Sequence, residues 1–452
     1  AGDQCEGRGV TTKGINLADG SNNFGGAVKV STTGTNDVTL VDSNGITLDT
    51  SSVGRNLALT VGGGVSQSSG GLTVGGTTGI TLKTTASQDV DLSNAANKLV
   101  GTVTIANNSG GTAHNVSITN SNAGAASFVL PSGINDLTLN QSAGAVTLPV
   151  TSISGNLSVT AGGKIDQTGI ITVASGKTTT LSAAGNTISL TDVNNDFGDS
   201  LTFTGKDVTL VDANSLRLGA STATGNLNVT TKNGALTQGG KLTVSGTTTI
   251  DSGSASTTLD NASNSFGGAV AVSKAQNATI TSGSALALGT SGVAGNLSII
   301  AKGDVTQTGI LTVGGTTGIT FDANGSAVLG TLANDLTGKV SFTNGSGSVQ
   351  NVNLKNVHAN ASIALPASLT DLTLPLPNSG ITLPSSSVGG NLNVNAAGAI
   401  AQSGGAFKVT GTSTLAAGGN SITLNTASND FGGAVSISNA SDVELKDATA
   451  LT

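Results

Sequence analysis

One stretch recurs along the sequence and limits what this chain can fold into. Residues Gly225 to Ile250 read GNLNVTTKNGALTQGGKLTVSGTTTI, and near copies begin at Gly54, Gly155, Gly295 and Gly390. Each copy contains Asn-Leu, an alternating run, a Gly-containing turn, a Gln, a second turn and an apolar-x-Val run. Alternation between short turn signals predicts β-strands of about five residues. Copies at regular intervals indicate a repeat protein whose core grows along one dimension.

A second landmark divides the chain into units. It is a Phe that follows Asn, Asp or Ser, replaced by Leu in two units, and it gives unit starts near Phe24, Leu99, Phe197, Phe266, Leu336 and Phe431. Measured between landmarks, the period of a short unit is about 70 residues and that of a long unit is roughly a third greater. The long units carry related inserts, Ala126 to Pro149 and Ala361 to Pro384, and begin three units apart, at Leu99 and Leu336. The array therefore grew by duplication of a three-unit block.

The unit length predicts the architecture. The short unit from Phe197 to Ser265 contains a series of short strand-like runs. Three strands per coil gives about 23 residues per coil, and hence three coils per short unit. We predict an all-β fold, a right-handed parallel β-helix (β-solenoid) of about 19 coils and about 90 Å in length from the spacing of stacked strands. Residues 1–9 match no later segment and are predicted to be a non-repeat tail or junction, and residues 10–452 a single continuous β-helical repeat array.

Period-two alternation predicts which side chains face the core. In the run DVTLVD, Val208 and Leu210 should point inward while Thr and Asp alternate outward. The landmark Phe residues, together with Phe203 and Phe342, should make inward aromatic contacts. The inward equivalents of Val208 and Leu210 are Val38, Leu40, Leu137, Leu139, Leu372 and Leu374.

Two sets of amide side chains mark corners. The asparagines of Gly-Asn-Leu should lie in turns, because Asn tolerates left-handed backbone geometry and its amide can bond along the stack. A set of glutamines marks another corner, where stacked amides would satisfy one another in ladders. The asparagines are Asn156, Asn226, Asn296 and Asn391, and the glutamines are Gln67, Gln167, Gln238, Gln307 and Gln402.

Composition excludes several classes of partner. The chain has 25 acidic and 18 basic side chains, a net charge of −7, and no concentration of Lys or Arg, so nucleic acid is not expected as a partner. It has no Trp or Tyr and 9 Phe, and so lacks aromatic platforms for bases or sugars. No apolar run of about 18 residues could form a membrane-spanning helix. A lone Cys5 cannot form an internal disulfide, which is compatible with an extracellular protein that needs none.

No residues assemble into a predicted catalytic, cofactor or metal site. Gly176-Lys177-Thr178 imitates a phosphate-binding loop without its first Gly or its helix, so an ordinary turn is expected. His114 and His358 have no second His or Cys in their repeats and should be surface or turn residues. Lys302-Gly303-Asp304 resembles an integrin-type tripeptide but should be a turn. The carboxylate pairs Asp192/Asp196 and Asp207/Asp212 are scattered among neutral residues, so we predict that the protein is not an enzyme and uses no cofactor.

The recurring runs resemble a known family. N-D-F-G-G-A-V, D-V-T-L-x-D-x-x-x-L-x-L, G-N-L-x-V-x-A-x-G-x-I-x-Q-x-G and L-T-V-x-G-T-T are similar to the β-strand repeats of filamentous-haemagglutinin-type adhesins, the exoproteins of bacterial two-partner secretion. The resemblance covers nearly everything from Val10 to Thr452. It implies a secreted or cell-surface location and export of the parent protein by an outer-membrane partner barrel. The Asn-Pro-Asn-Leu type motif of the family's secretion domain is absent here.

The resemblance and the repeats together predict three functions in order of preference. The first is a non-enzymatic extracellular adhesin or fibre shaft that mediates adhesion, aggregation or biofilm matrix, with cell-surface or matrix ligands or other copies of itself as partners. The second is a structural protomer that polymerises end to end, since both ends of the array should expose unpaired strands. The third is an ice-binding surface built from Thr-x-Thr runs such as Thr247 to Ile250.

Overall fold

The computed structural model describes residues 12–83, 86–108 and 112–451. Across these ranges the regular elements are β-strands that pair in parallel, and none of the described residues is helical, so the all-β solenoid prediction is confirmed. Residues 1–9, with Cys5, lie outside the described ranges. The chain divides into two compact units, Ala1–Gly225 and Asn226–Thr452. The single array over residues 10–452 and the right hand of the coil stay predictions.

The first unit contains strands β1 to β25. Their bounds are β1 Ile15–Leu17, β2 Val38–Asp42, β3 Ile46–Leu48, β4 Ser51–Val53, β5 Leu57–Val61, β6 Val65–Gln67, β7 Leu72–Val74, β8 Thr78–Leu82, β9 Ser87–Leu92, β10 Lys98–Leu99, β11 Val103–Asn107, β12 Thr112–Asn120, β13 Ala126–Val129, β14 Leu137–Gln141, β15 Val146–Leu148, β16 Thr151–Ile153, β17 Leu157–Ala161, β18 Ile165–Gln167, β19 Ile171–Val173, β20 Thr178–Ser182, β21 Ile188–Leu190, β22 Ser200–Gly205, β23 Val208–Asp212, β24 Leu216–Leu218 and β25 Ser221–Ala223.

The second unit contains strands β26 to β51. Their bounds are β26 Leu227–Thr231, β27 Leu236–Gln238, β28 Leu242–Val244, β29 Thr248–Asp251, β30 Thr257–Leu259, β31 Ser265–Phe266, β32 Val270–Lys274, β33 Ala278–Ser282, β34 Leu286–Leu288, β35 Ser291–Val293, β36 Leu297–Ala301, β37 Val305–Gln307, β38 Leu311–Val313, β39 Thr317–Phe321, β40 Gly325–Leu336, β41 Val340–Asn344, β42 Val349–Asn356, β43 Ile363–Ala364, β44 Ser368–Leu369, β45 Asp371–Leu376, β46 Ile381–Val388, β47 Leu392–Ala396, β48 Ile400–Val409, β49 Ser413–Leu424, β50 Asp430–Phe431 and β51 Val435–Leu445.

Three strands build a coil, as predicted. In the first unit β2, β3 and β4 form one coil, and β5, β6 and β7 stack on them one for one. Coil length varies within this unit. The sequence separation is 57−38=19 for the paired residues Val38 and Leu57, and 128−103=25 for Val103 and Phe128. The predicted coil length therefore falls between these two observed separations, and no single value describes every coil.

The repeat is not a whole number of coils. In the second unit Leu227 pairs with Thr248, Thr248 with Val270 and Val270 with Leu288, which completes three coils. Leu297, the next copy of Leu227, lies beyond Leu288, and its strand β36 pairs with β33 and β39 on a different face. The prediction of three coils per short unit is wrong. The short repeat winds three coils and one further face, because some coils are shorter than expected.

The core follows the predicted alternation. The side chains of Val208 and Leu210 are fully buried, as are their predicted equivalents. The landmarks are buried in every unit except the first, where Phe24 is only half-buried. Phe203 and Phe342 are also buried. Pairing of apolar residues from coil to coil, such as Leu190 with Leu210, makes a continuous apolar interior.

Glycine is required where corners of successive coils touch. A Cβ atom on Gly62 would lie 2.0 Å from the backbone oxygen of Ser43 in the preceding coil. The backbone bond from Gly62 N to Asp42 O, at 2.9 Å, holds these corners together. The high glycine content therefore reflects close backbone stacking.

Candidate functional site

The most regular polar structure of the chain is a corner at which a glutamine of one coil bonds an asparagine of the next. We call this pair the amide clamp. The asparagine is buried, lies two residues before the landmark Phe or Leu, and exchanges hydrogen bonds with the glutamine in both directions. The clamps are Gln67–Asn97, Gln167–Asn195, Gln238–Asn264, Gln307–Asn334 and Gln402–Asn429.

The clamp of Gln167 and Asn195 shows the geometry. Gln167 Nε2 donates to Asn195 Oδ1 at 2.9 Å, and Asn195 Nδ2 donates to Gln167 Oε1 at 2.8 Å. Asn195 Oδ1 also accepts the backbone N–H of Ile171 at 2.9 Å, which starts β19. Because Asn195 is fully buried, these bonds satisfy groups that water cannot reach.

The glutamines lie at a corner and bond other protein groups, as predicted, but the ladder of stacked glutamines is wrong. Each glutamine bonds an asparagine 26 to 30 residues further along the chain, as the pairs Gln238–Asn264 and Gln67–Asn97 show. Because equivalent residues are separated by at least three coils and one further face, successive glutamines do not stack. The asparagine partners were missed, although Asn recurs two residues before the landmark in the sequence and could have signalled them.

A second polar group caps most of the landmark residues. Asp212 is fully buried and accepts the backbone N–H of Phe197 at 3.1 Å through Oδ2 and that of Asn214 at 2.9 Å through Oδ1. The prediction that the aspartates of DVTLVD point outward is therefore wrong for Asp212 and for Asp42. The pairs of cap and landmark are Asp42 with Phe24, Asn120 with Leu99, Asp212 with Phe197, Asn356 with Leu336 and Asp447 with Phe431.

Burial changes the acidity of Asp212. Removal from water raises its pKa to about 6 from 3.8, and the nearby charge of Asp196 acts in the same direction, while the two backbone donors oppose both. Asp196 itself accepts the amide Nδ2 of Asn214 at 2.9 Å and the backbone N–H of Gly198 at 3.1 Å. The structure thus places the charge of Asp196 near Asp212.

We expect Asp212→Asn to flatten the pH dependence of stability between about pH 4 and 6. The folded pKa of about 6 exceeds 3.8, so the stability linked to this proton is fully present below pH 3.8 and is lost as pH rises through 6. The whole shift corresponds to about 3 kcal/mol in the free energy of unfolding. Urea unfolding at a series of pH values measures the slope.

The exposed Asp199 supplies the control for that experiment. Asp199→Asn should keep the wild-type slope, and Asn120 and Asn356 show that an amide is accepted at the cap position. Parallel pH profiles for wild type and Asp212→Asn would contradict the assignment.

The asparagines of Gly-Asn-Leu bond along the stack, as predicted. Asn156 Oδ1 accepts both the backbone N–H and the hydroxyl of Thr178 in the next coil, each at 3.0 Å. Their predicted left-handed backbone is wrong, because the described non-glycine residues with positive φ are Asn233 and Asn439. The other pairs are Asn226–Thr247, Asn296–Thr316 and Asn391–Thr412. Asn56, which follows Arg55 instead of a glycine, makes the same bond to Thr77.

The remaining sequence candidates lie apart from one another. His114 Nδ1 contacts Asp89 Oδ1 at 3.2 Å, and His358 Nδ1 contacts Asp335 Oδ1 at 2.8 Å, each in the preceding coil. Gly176 has a φ of 78° in a turn before β20, and Gly303 also has a positive φ. Among the described residues there is no group of three or more His, Cys, Asp or Glu that could hold a metal ion. Nor does this part of the chain contain a helix with the length and apolarity to cross a membrane.

The polar groups of the corners bond each other instead of converging on a common point. A family model described as "Repeats of unknown function (DUF5649)" matches residues 35–106, 134–204, 205–273, 275–343 and 369–438, more than three quarters of the chain. The chain belongs to this family. No curated protein and no solved structure matches the chain.

The limits of the DUF5649 repeats agree with the structure. Each match begins two residues before the Asp or Asn that precedes a D-V-T-L type strand, as at Asp37, Asp136 and Asp371. The stretches 107–133 and 344–368, which no repeat match covers, fall in the long units. They begin before the inserts predicted from the sequence and overlap them only in part. A DUF5649 repeat therefore starts just before a strand of the D-V-T-L type, which in β2 and β23 carries the landmark cap.

Proposed function

We propose that this DUF5649 array is a non-enzymatic shaft of an extracellular bacterial adhesin or fibre, mediating adhesion, aggregation or biofilm matrix. The observation that carries the proposal is the internal use of polar side chains. Amide clamps, landmark caps and Asn–Thr ladders bond one coil to the next, as in Gln307 with Asn334 and Asn296 with Thr316. Such cross-links suit a protein that works through stiffness and repeated length.

The likeness to filamentous-haemagglutinin-type repeats supports the location and the partners. By that likeness the parent protein is exported through an outer-membrane barrel and held at the cell surface or released. Its partners are then cell-surface or matrix ligands, or other copies of itself. The net charge of −7 disfavours nucleic acid as a ligand.

Negative-stain electron microscopy over a concentration series tests the shaft against the end-to-end polymer. A shaft segment should give isolated particles no longer than about 90 Å, the length expected from strand spacing. Filaments that lengthen with concentration would overturn the shaft in favour of a polymerising protomer. The variant Leu210→Asp, expected to lose folded structure, controls for aggregation of unfolded chain.

A bead assay tests adhesion itself. Beads coated with the folded chain should bind bacterial cells or their matrix, and free folded chain should compete. Beads coated with heat-unfolded chain are the control for nonspecific adsorption. Equal binding by folded and unfolded chain would contradict adhesion through the folded array.

A further inference from the structure

One face of the first unit presents side-chain hydroxyls on successive coils. Strands β14, β17, β20 and β22 stack in register, Thr138 beside Ser158, Ser158 beside Thr180 and Thr180 beside Thr202. The second outward position of each strand follows the same register. We call these eight residues the hydroxyl face: Thr138, Asn140, Ser158, Thr160, Thr180, Ser182, Thr202 and Thr204. Seven are hydroxyl residues and one is an amide.

The face points away from the core because its strands alternate. Leu157 and Val159 on β17, like Leu201 and Phe203 on β22, are buried, and the residues between them face outward. Thr160 is among the exposed members, and the others are exposed or half-buried. Within the described residues, no hydroxyl of the face bonds another protein group. This differs from the corner next to it, where the hydroxyl of Thr178 is held by Asn156.

No charged residue interrupts the face. Charges stand at its borders: Asp136, Lys177 and Asp199 directly precede β14, β20 and β22, and Lys206 directly follows β22. Arg217 lies on β24, which pairs with β22 through Leu218 and Leu201. The comparable face of the second unit, on β33, β36, β39 and β41, is less regular, since Ile300 and Gly318 occupy outward positions there. The uniform array is therefore a property of one face and does not follow from composition.

The face is also a rigid lattice. Backbone bonds such as Leu137 N to Asn156 O, at 2.9 Å, fix one strand against the next. Stacked strands lie about 4.8 Å apart, and residues two apart on a parallel strand are separated by about 6.6 Å, so the hydroxyls form a nearly rectangular grid. Ordering a ligand against such a grid needs little reordering of the protein.

A grid of this kind fits a ligand that repeats in two dimensions. The oxygen atoms on a prism face of ice repeat at distances close to both spacings of the grid, and each can donate to or accept from a hydroxyl. The threonine methyl groups between the hydroxyls are apolar, and none of the eight residues is charged. The face therefore does not hold a strongly bound hydration shell that would compete with ice. We propose that the hydroxyl face binds ice, through a lattice of water molecules ordered on Thr138, Ser158, Thr180 and Thr202. This activity is separate from the proposed shaft function.

Uptake into growing ice tests the proposal with the whole chain. Fluorescently labelled wild type should be incorporated into a slowly grown ice hemisphere and should give a measurable gap between melting and freezing points. The variant Thr138→Lys/Thr180→Lys places a charge on two coils separated by β17. Incorporation should fall about tenfold or more, because an unpaired charge held against the crystal costs more free energy than a tenfold change represents.

A matched variant of the second unit keeps the test specific. Thr279→Lys/Thr320→Lys changes outward threonines on β33 and β39, which are also separated by one strand, β36. It should be incorporated like wild type, and both variants should unfold at the wild-type urea concentration. Exclusion of wild type from ice, or equal loss in the two variants, overturns the proposal, as does binding to a crystalline polysaccharide without uptake into ice. None of these outcomes depends on whether the chain forms an adhesin shaft.

Discussion

Replacement of Leu210 by Asp should unfold the coils around β23 at urea concentrations that wild type withstands. Leu210 is fully buried and stacks on Leu190 of the preceding coil. An aspartate there would lose the apolar contacts and would bury a carboxyl without hydrogen-bond partners. The two losses together should lower the free energy of unfolding by more than about 4 kcal/mol. Urea unfolding followed by circular dichroism measures the change.

Thr209→Asp is the matched control, because Thr209 is the outward neighbour on the same strand. It introduces the same side chain one residue away and should shift the unfolding free energy by about 1 kcal/mol or less. Hydrogen exchange should show that Leu210→Asp loses protection first in β21 and β23. Wild-type stability of Leu210→Asp would refute the inward assignment of this strand.

Replacement of Asn334 by Leu should have the second largest effect. Asn334 is fully buried, and its amide bonds Gln307 in both directions, at 3.1 and 2.9 Å, and accepts the backbone N–H of Leu311 at 3.0 Å. A leucine fills the space but removes the hydrogen-bond partners of Gln307 Oε1 and of the Leu311 N–H, while Gln307 Nε2 keeps its bond to the carbonyl of Gly309. Because each buried unsatisfied group costs about 1–3 kcal/mol, we expect a loss of about 4 kcal/mol.

A double-mutant cycle separates the clamp from simple packing. Gln307→Leu combined with Asn334→Leu should be less destabilised than the sum of the single variants, because both partners of the clamp are then removed. Asn296→Leu, which removes an exposed asparagine from the Thr316 ladder, should cost about 1 kcal/mol. If the destabilisation of the double variant equalled the sum of the two single destabilisations, the hydrogen bonds between Gln307 and Asn334 would contribute no coupling energy.

The polar contacts at the corners were predicted from the sequence only in part. The repeat signalled that Gln167 and its equivalents occupy a corner, and that the asparagines of Gly-Asn-Leu bond along the stack. It did not pair Gln167 with Asn195, or reveal that Asp212 caps Phe197 from inside the core. Both contacts join residues 15 or more positions apart, and their register depends on the lengths of the coils between them. A local pattern carries no information on that length.

The sequence by itself determined the class of fold and the inward position of the alternating apolar residues, although it did not place Asp212 and Asp42 inside. Alternation of apolar and polar residues has a period of two, and the backbone of a strand has the same period, so Val208 and Leu210 could be placed in the core from the residues alone. Only the tertiary structure decided which residues become neighbours on successive coils. Coils of different length shift equivalent residues of successive repeats onto different faces, and so the hydroxyls of Thr138, Ser158 and Thr180 align although they come from unrelated positions of the repeat.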